Sequence, residues 1–260
     1  LGRLPIMFRT LLISLFLTST ALATTWTVDD DGKADFDNIQ AAVDAASDGD
    51  EIVVAPGTYT STAAEVVNMR GKEIWLHSSK GAEVTIIDGE ETHRGILCDN
   101  GETPKTIIEG FTITNGYADY GGGMYIDNGS PTLTNCTFEN NTSIGEGGNH
   151  SSGGGMYNGV GSPTLTDCTF TGNVAGGSWT SGGGMSGGNA TLTNCTFIDN
   201  RANYGGGMSG GATLTGCAFE NNTALDEGGG ASVGNATLTD CTFTGNTAYQ
   251  YGGGVITVGN

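Results

Sequence analysis

The stretch Pro131-Thr-Leu-Thr-Asn-Cys-Thr-Phe138 decides the fold, because it returns as Pro163 to Phe170, Ala190 to Phe197, Ala212 to Phe219 and Ala236 to Phe243. Successive copies start 32, 27, 22 and 24 residues apart. The third residue after each Phe is Asn (Asn141, Asn173, Asn200, Asn222, Asn246), and a Gly-Gly-Gly follows after a variable gap. Six such triplets begin at Gly121, Gly153, Gly182, Gly205, Gly228 and Gly252, and four of them lead into Met. A unit of 22 residues is too short for a propeller blade or a pair of helices, and Thr, Phe, Gly and Asn are poor helix formers. One turn of a parallel β-solenoid fits.

Parity within the repeat supplies the cross-section. In a straight strand Leu133 would face away from Cys136 and Phe138, so a bend is expected at Asn135, where the copies read Asn135, Asp167, Asn194, Gly216 and Asp240. Asn, Asp and Gly tolerate the left-handed backbone of a tight corner. Leu, Cys and Phe then point inward, while Thr134 and Thr137 point outward. Stacking at about 4.8 Å turns each position into a ladder of like residues. A second corner is expected near Asn141. The segment from there to the triplet is expected to be a loop, with insertions confined to one edge and Met opening the third strand. Asp199 reads as an outward strand residue.

Upstream, Phe36, Ile39, Ala42, Val43 and Ala46 space as a short amphipathic helix after a capping Asp35, suited to plug the open end of the stack. Leu1 to Ala23 holds Arg3 and Arg9, an apolar run from Leu11 to Leu17 and Ala21-Leu22-Ala23, the pattern of a secretory signal peptide. The expected organisation is therefore 1–23 signal peptide, 24–60 N-terminal cap and first strand, and 61–260 solenoid rungs, regular from about 106. The expected location is secreted, extracellular or the outer cell surface. No later run is long enough for a membrane span. Gly252 to Asn260 matches the stretch that precedes the copy at Ala236, so the solenoid is expected to be truncated here, with further rungs or an anchoring region beyond.

Composition narrows the partners. The chain has 9 Lys+Arg and 28 Asp+Glu, a net charge of −19. Such a surface repels phosphate backbones, so nucleic acid is not an expected partner. Glycine is abundant, 46 residues, but without the three-residue period of collagen.

Thr25-Trp-Thr-Val-Asp-Asp-Asp-Gly, Phe36-Asp-Asn-Ile-Gln-Ala-Ala-Val and Gly49-Asp-Glu-Ile-Val-Val-Ala-Pro-Gly-Thr-Tyr59 resemble the entry segment of pectin-lyase-like right-handed parallel β-helix proteins. Phe-x-x-Asn with Gly-Gly-Gly-Met resembles the repeat of chlamydial polymorphic outer membrane proteins. The resemblances imply an all-β, right-handed parallel β-helix with a short N-terminal capping helix. They leave activity open, since this fold hosts lyases, hydrolases, esterases, adhesins and spacers.

Activity must therefore rest on particular residues. The motifs expected of polygalacturonase and pectin methylesterase relatives are absent. A lyase reading would make Arg201 the base and Asp199 and Asp167 calcium ligands, but Arg201 reads more simply as a solvated charge. Tyr120, Tyr204 and Tyr251 each precede a glycine triplet. With Trp179 they form an expected aromatic row along the loop edge, and Glu146 and His150 share those loops. Such a row suits a polysaccharide or cell-surface glycan. No cofactor is expected, calcium in the loops being the one open possibility, and no metal site is assigned. The cysteines form one ladder, Cys136, Cys168, Cys195, Cys217 and Cys241, read as buried thiols. The favoured function is a non-catalytic exported adhesin or scaffold. A polysaccharide lyase or glycoside hydrolase with a non-standard site is second. A threonine-ladder ice binder ranks third, because Thr134 and Thr137 straddle a bend and the rungs vary in length.

Overall fold

Each repeat turns its chain through three left-handed corners, and those corners set the shape. The computed structural model describes residues 22–145 and 150–257. Most of the expected signal peptide and Glu146 lie outside them. The first corner falls where parity demanded it, at Asn135, Asp167, Asn194, Gly216 and Asp240, all with positive φ. The second falls at Asn140, Gly172, Asp199, Asn221 and Gly245, one residue before the repeated Asn, so the expectation near Asn141 is displaced by one and Asp199 is a corner residue. The third is the opening glycine of every triplet, with φ between 58° and 66°. In the first five triplets the second and third glycines are required for space. A Cβ on Gly183 would stand 2.5 Å from the carbonyl oxygens of Arg201 and Gly206.

Stacked rungs form a nine-stranded and three eight-stranded parallel sheets. A leucine sheet aligns Ile108, Leu133, Leu165, Leu192, Leu214 and Leu238 in register. A phenylalanine sheet follows after the first corner, and a methionine sheet (Met124, Met156, Met185, Met208) after the third. The fourth sheet corrects the sequence reading. The variable segment begins and ends in strand, as in Thr142–Ile144 and His150–Ser152 or Val174–Gly176 and Trp179–Ser181, and Arg201–Tyr204 is strand throughout. Its length varies in the middle of this sheet, and a smaller variation falls in the turn between the methionine and leucine sheets, so insertions are not confined to one edge although the strands of the other three sheets keep strict register.

The interior is a set of ladders. Phe138, Phe170, Phe197, Phe219 and Phe243 stack with ring centroids 4.7–4.8 Å apart and planes within 6° of parallel. The first four are fully buried. Beside them runs an asparagine ladder. Asn200 Nδ2 donates to Phe170 O and Asn222 Oδ1, both at 2.9 Å, while its Oδ1 accepts from the backbone N and Nδ2 of Asn173 at 3.0 and 2.9 Å. The same pattern links Asn141, Asn173, Asn222 and Asn246. The repeated Asn is thus an inward polar spine that saturates itself.

The helix spans Ile39–Ala45 and buries Ile39, Ala42 and Val43. Its cap is Asn38, whose Oδ1 accepts from Ala41 N at 2.8 Å, and not Asp35, which instead accepts from Thr27 N. Lys72 Nζ satisfies the carbonyls of Val43, Asp44 and Ala46 at the other end, where a cation also complements the helix dipole. Asp50 locks the cap to the first strand by accepting from Thr24 N (2.7 Å), Ser47 N (2.9 Å) and Trp26 Nε1 (3.1 Å). These donors, Ser47 foremost, outweigh burial and hold its carboxyl below the usual carboxylate value. A depressed folded value means that Asp50 stabilises the fold above its unfolded pKa, about 4, and that this contribution is lost as pH falls through the folded one. Amide protection at Thr24 and Ser47 is therefore expected to drop below about pH 4. Unchanged protection at lower pH would count against this lock.

Candidate functional site

The register brings together aromatic residues that lie far apart in the chain. On the outer face of the methionine sheet Tyr125 pairs in register with Tyr157, and the rings stack at 5.5 Å with planes 20° apart. Tyr120, on the turn before the third corner, reaches Tyr157 at 5.2 Å. Arg94 lies over the Tyr125 ring, 5.0 Å from its centroid. Its Nε and Nη2 donate to the carbonyls of Gly121 and Tyr120, both at 3.2 Å, so the same guanidinium fixes the turn that presents Tyr120. Burial lowers the Arg94 pKa and raises those of Tyr125 and Tyr157. Arg94 stays cationic and both phenols stay neutral near neutral pH. Tyr125, Tyr157 and Arg94 escaped the sequence reading. The one available signal was the shared Gly-Gly-Gly-Met-Tyr of two triplets.

The position before each triplet forms one column, Tyr120, Ser152, Ser181, Tyr204, Glu227 and Tyr251. The three tyrosines therefore share an edge, with two serine rungs separating Tyr120 from Tyr204 and one rung separating Tyr204 from Tyr251. Trp179, 60 % exposed, pairs in register with His150 and lies 6.5 Å from Tyr204, the planes 13° apart. Two aromatic groups result, one around Tyr157 and one around Trp179 and Tyr204, with Tyr251 beyond them.

Arg201, Asp199 and Asp167 do not converge. Arg201 is exposed and opens its strand. Asp199 and Asp167 sit at opposite corners of the phenylalanine sheet, which a rung crosses in five residues, roughly 15 Å. Asp167 Oδ1 instead accepts from Asn194 Nδ2 at 3.2 Å. Among the described residues no group of three His, Cys, Asp or Glu side chains gathers as a metal site. The ladder cysteines are free thiols whose Sγ atoms donate to backbone carbonyls, as Cys195 does to Leu165 O and Thr193 O.

A second cluster stands on the leucine sheet near the cap. Trp75 stacks on His77 at 4.1 Å and donates through Nε1 to Glu109 Oε2, while His77 Nε2 lies 3.0 Å from Glu51 Oε1. Bonds from Thr25 and then His77 lower the Glu51 pKa. The adjoining cleft, about 490 Å³, is lined by Asp48, Asp50, Glu51, Glu73, Trp75 and Lys105. Lys105 is paired with Glu73 at 2.9 Å.

A parallel solenoid of four sheets with stacked like residues defines a class, the parallel β-helix. The family model described as a right handed beta helix region matches residues 38–197 and 74–260, and the chain belongs to that family. Among solved structures it is similar to pectate lyase Pel9A, with TM-score 0.52 and 14% identity over 92% of this chain and 79% of that one. It is also similar to a pectin methylesterase from carrot, with TM-score 0.44 and 12% identity over 93% and 84%. At these identities the likeness concerns the fold, and it rests on the first. No curated protein matches the sequence. Among the described residues no helix is long and apolar enough to cross a membrane.

Proposed function

We propose that the protein is an exported, non-catalytic β-helix protein of the cell surface or extracellular space, an adhesin or scaffold that contacts carbohydrate through its aromatic clusters. The observation that carries this reading is the group of Tyr120, Tyr125 and Tyr157 braced by Arg94. Its rings are held in place before any ligand arrives, so little side-chain entropy is lost on binding. Stacked phenol faces offer apolar area to the C–H face of a sugar ring, and their hydroxyls offer hydrogen bonds at the rim. A polyuronate lyase would need a base and calcium-binding carboxylates in one place. Arg201 and Asp167 are held apart by the width of a sheet.

On an array of neutral and acidic glycans the purified protein is expected to retain a subset, and Tyr157→Ala to weaken that retention by about tenfold, the equivalent of losing one well-packed aromatic contact. Absence of any glycan binding, or equal binding by the variant, would refute the proposal. Release of unsaturated sugar products from polyuronate would instead establish the lyase reading.

A further inference from the structure

The outer face of the leucine sheet is a two-dimensional lattice of threonines. Two columns run along it in unbroken register, Thr132, Thr164, Thr191, Thr213 and Thr237 in one, and Thr134, Thr166, Thr193, Thr215 and Thr239 in the other. The relevant pair in each rung is thus Thr132 and Thr134, on one straight strand, and not Thr134 and Thr137 across the bend. Rung length varies in the fourth sheet and in the turn that leads from the methionine sheet into this one, but the strands pair without a shift, so the lattice is untouched. Both reasons for ranking an ice binder low therefore fail.

Three properties of the face point to one ligand. Its rungs are scarcely rotated on one another, since the phenylalanine rings carried by the same rungs on the adjoining sheet stay within 6° of parallel from one rung to the next, where neighbouring strands in most sheets rotate by about 20°. It is uncharged at all ten positions in a chain of net charge −19, so it matches a neutral surface and disfavours an ionic one. Its hydroxyls are also open. Among the ten only Thr132 commits its hydroxyl to the protein, donating to Pro104 O at 2.9 Å, and six of them are exposed, the other four half-buried.

The spacings complete the match. Along the stack the repeat is 4.7–4.8 Å, and along the strand residues two apart lie about 6.7 Å from one another. Tetrahedral water joined by hydrogen bonds of about 2.75 Å places second-neighbour oxygens ~4.5 Å apart, and the layered lattice built from them repeats at ~7.3 Å in the perpendicular direction. Rotatable hydroxyls and methyls absorb differences of this size.

We infer that this threonine face binds the surface of crystalline ice, its methyls and hydroxyls ordering the first water layer on the lattice of the crystal. The site is separate from the tyrosine cluster, and its test uses a different probe. Purified protein is to be partitioned between a slowly grown ice hemisphere and the liquid, beside an inert globular control. Wild type is expected to enter the ice and the control to be excluded.

Thr193→Tyr keeps a β-favouring residue but raises a ring above the plane, lifting neighbouring hydroxyls out of reach. It is expected to lower incorporation by at least about tenfold, more than the loss of a single hydrogen bond. Thr213→Tyr provides an independent second disruption, and Val160→Ser, at an exposed turn off this face, is expected to behave as wild type. Exclusion of wild type from ice would overturn the inference. So would equal incorporation of both tyrosine variants with circular dichroism unchanged, or retention on crystalline chitin by a protein that ice rejects.

Discussion

Asn200→Leu is expected to lower the free energy of unfolding by about 4 kcal/mol, although the substitution barely changes side-chain volume. Asn200 sits mid-ladder with four hydrogen bonds and no exposure. Leucine removes the acceptor of the Asn173 backbone N–H and one donor to each of Phe170 O and Asn222 Oδ1. A buried group left unsatisfied costs roughly 1–3 kcal/mol, and the low-dielectric interior denies it a replacement. Equilibrium urea unfolding followed by far-ultraviolet circular dichroism measures the loss. A change below about 1 kcal/mol would mean that water satisfies the ladder and that it is not the spine described above.

Phe197→Ala is expected to cost ~3–5 kcal/mol by the same measurement. The ring is fully buried and stacks at 4.8 Å on Phe170 and 4.7 Å on Phe219. Truncation opens a cavity between two rings that the strict register of their strands prevents from closing. Because each rung contacts only its neighbours, the cost falls on the interfaces to either side and should loosen the C-terminal rungs first. Phe243→Ala makes the contrast, since Phe243 is only partly buried and its removal should cost less. Equal losses at the two positions would contradict the graded burial.

Repetition and parity by themselves determined much of this molecule. Leu133, Cys136 and Phe138 cannot all face one way on a straight strand, so the corner at Asn135 and the three inward ladders followed from eight residues read five times. The short helix was legible for the same reason, since Ile39, Ala42 and Val43 mark one face. These features depend on backbone geometry and on neighbours a few positions away.

Tertiary structure alone decided the rest, because it depends on which rungs stack. The fourth sheet has no strand-like pattern of its own. Thr142–Ile144 and Val174–Gly176 become strands only because each finds the other's backbone at hydrogen-bonding distance. The repeated Asn turns inward because its amide meets an identical amide one rung away, which no single repeat can show. Tyr125 and Tyr157 lie 32 positions apart in sequence and touch because one rung takes that many residues to return. The lyase alternative would have needed Arg201 and Asp199, nearly adjacent in sequence, beside Asp167, yet a corner and the width of a sheet separate them from it. Sequence proximity governs local turns, whereas the outer surface of a solenoid is assembled across rungs, and its sites become visible only once the stack is formed.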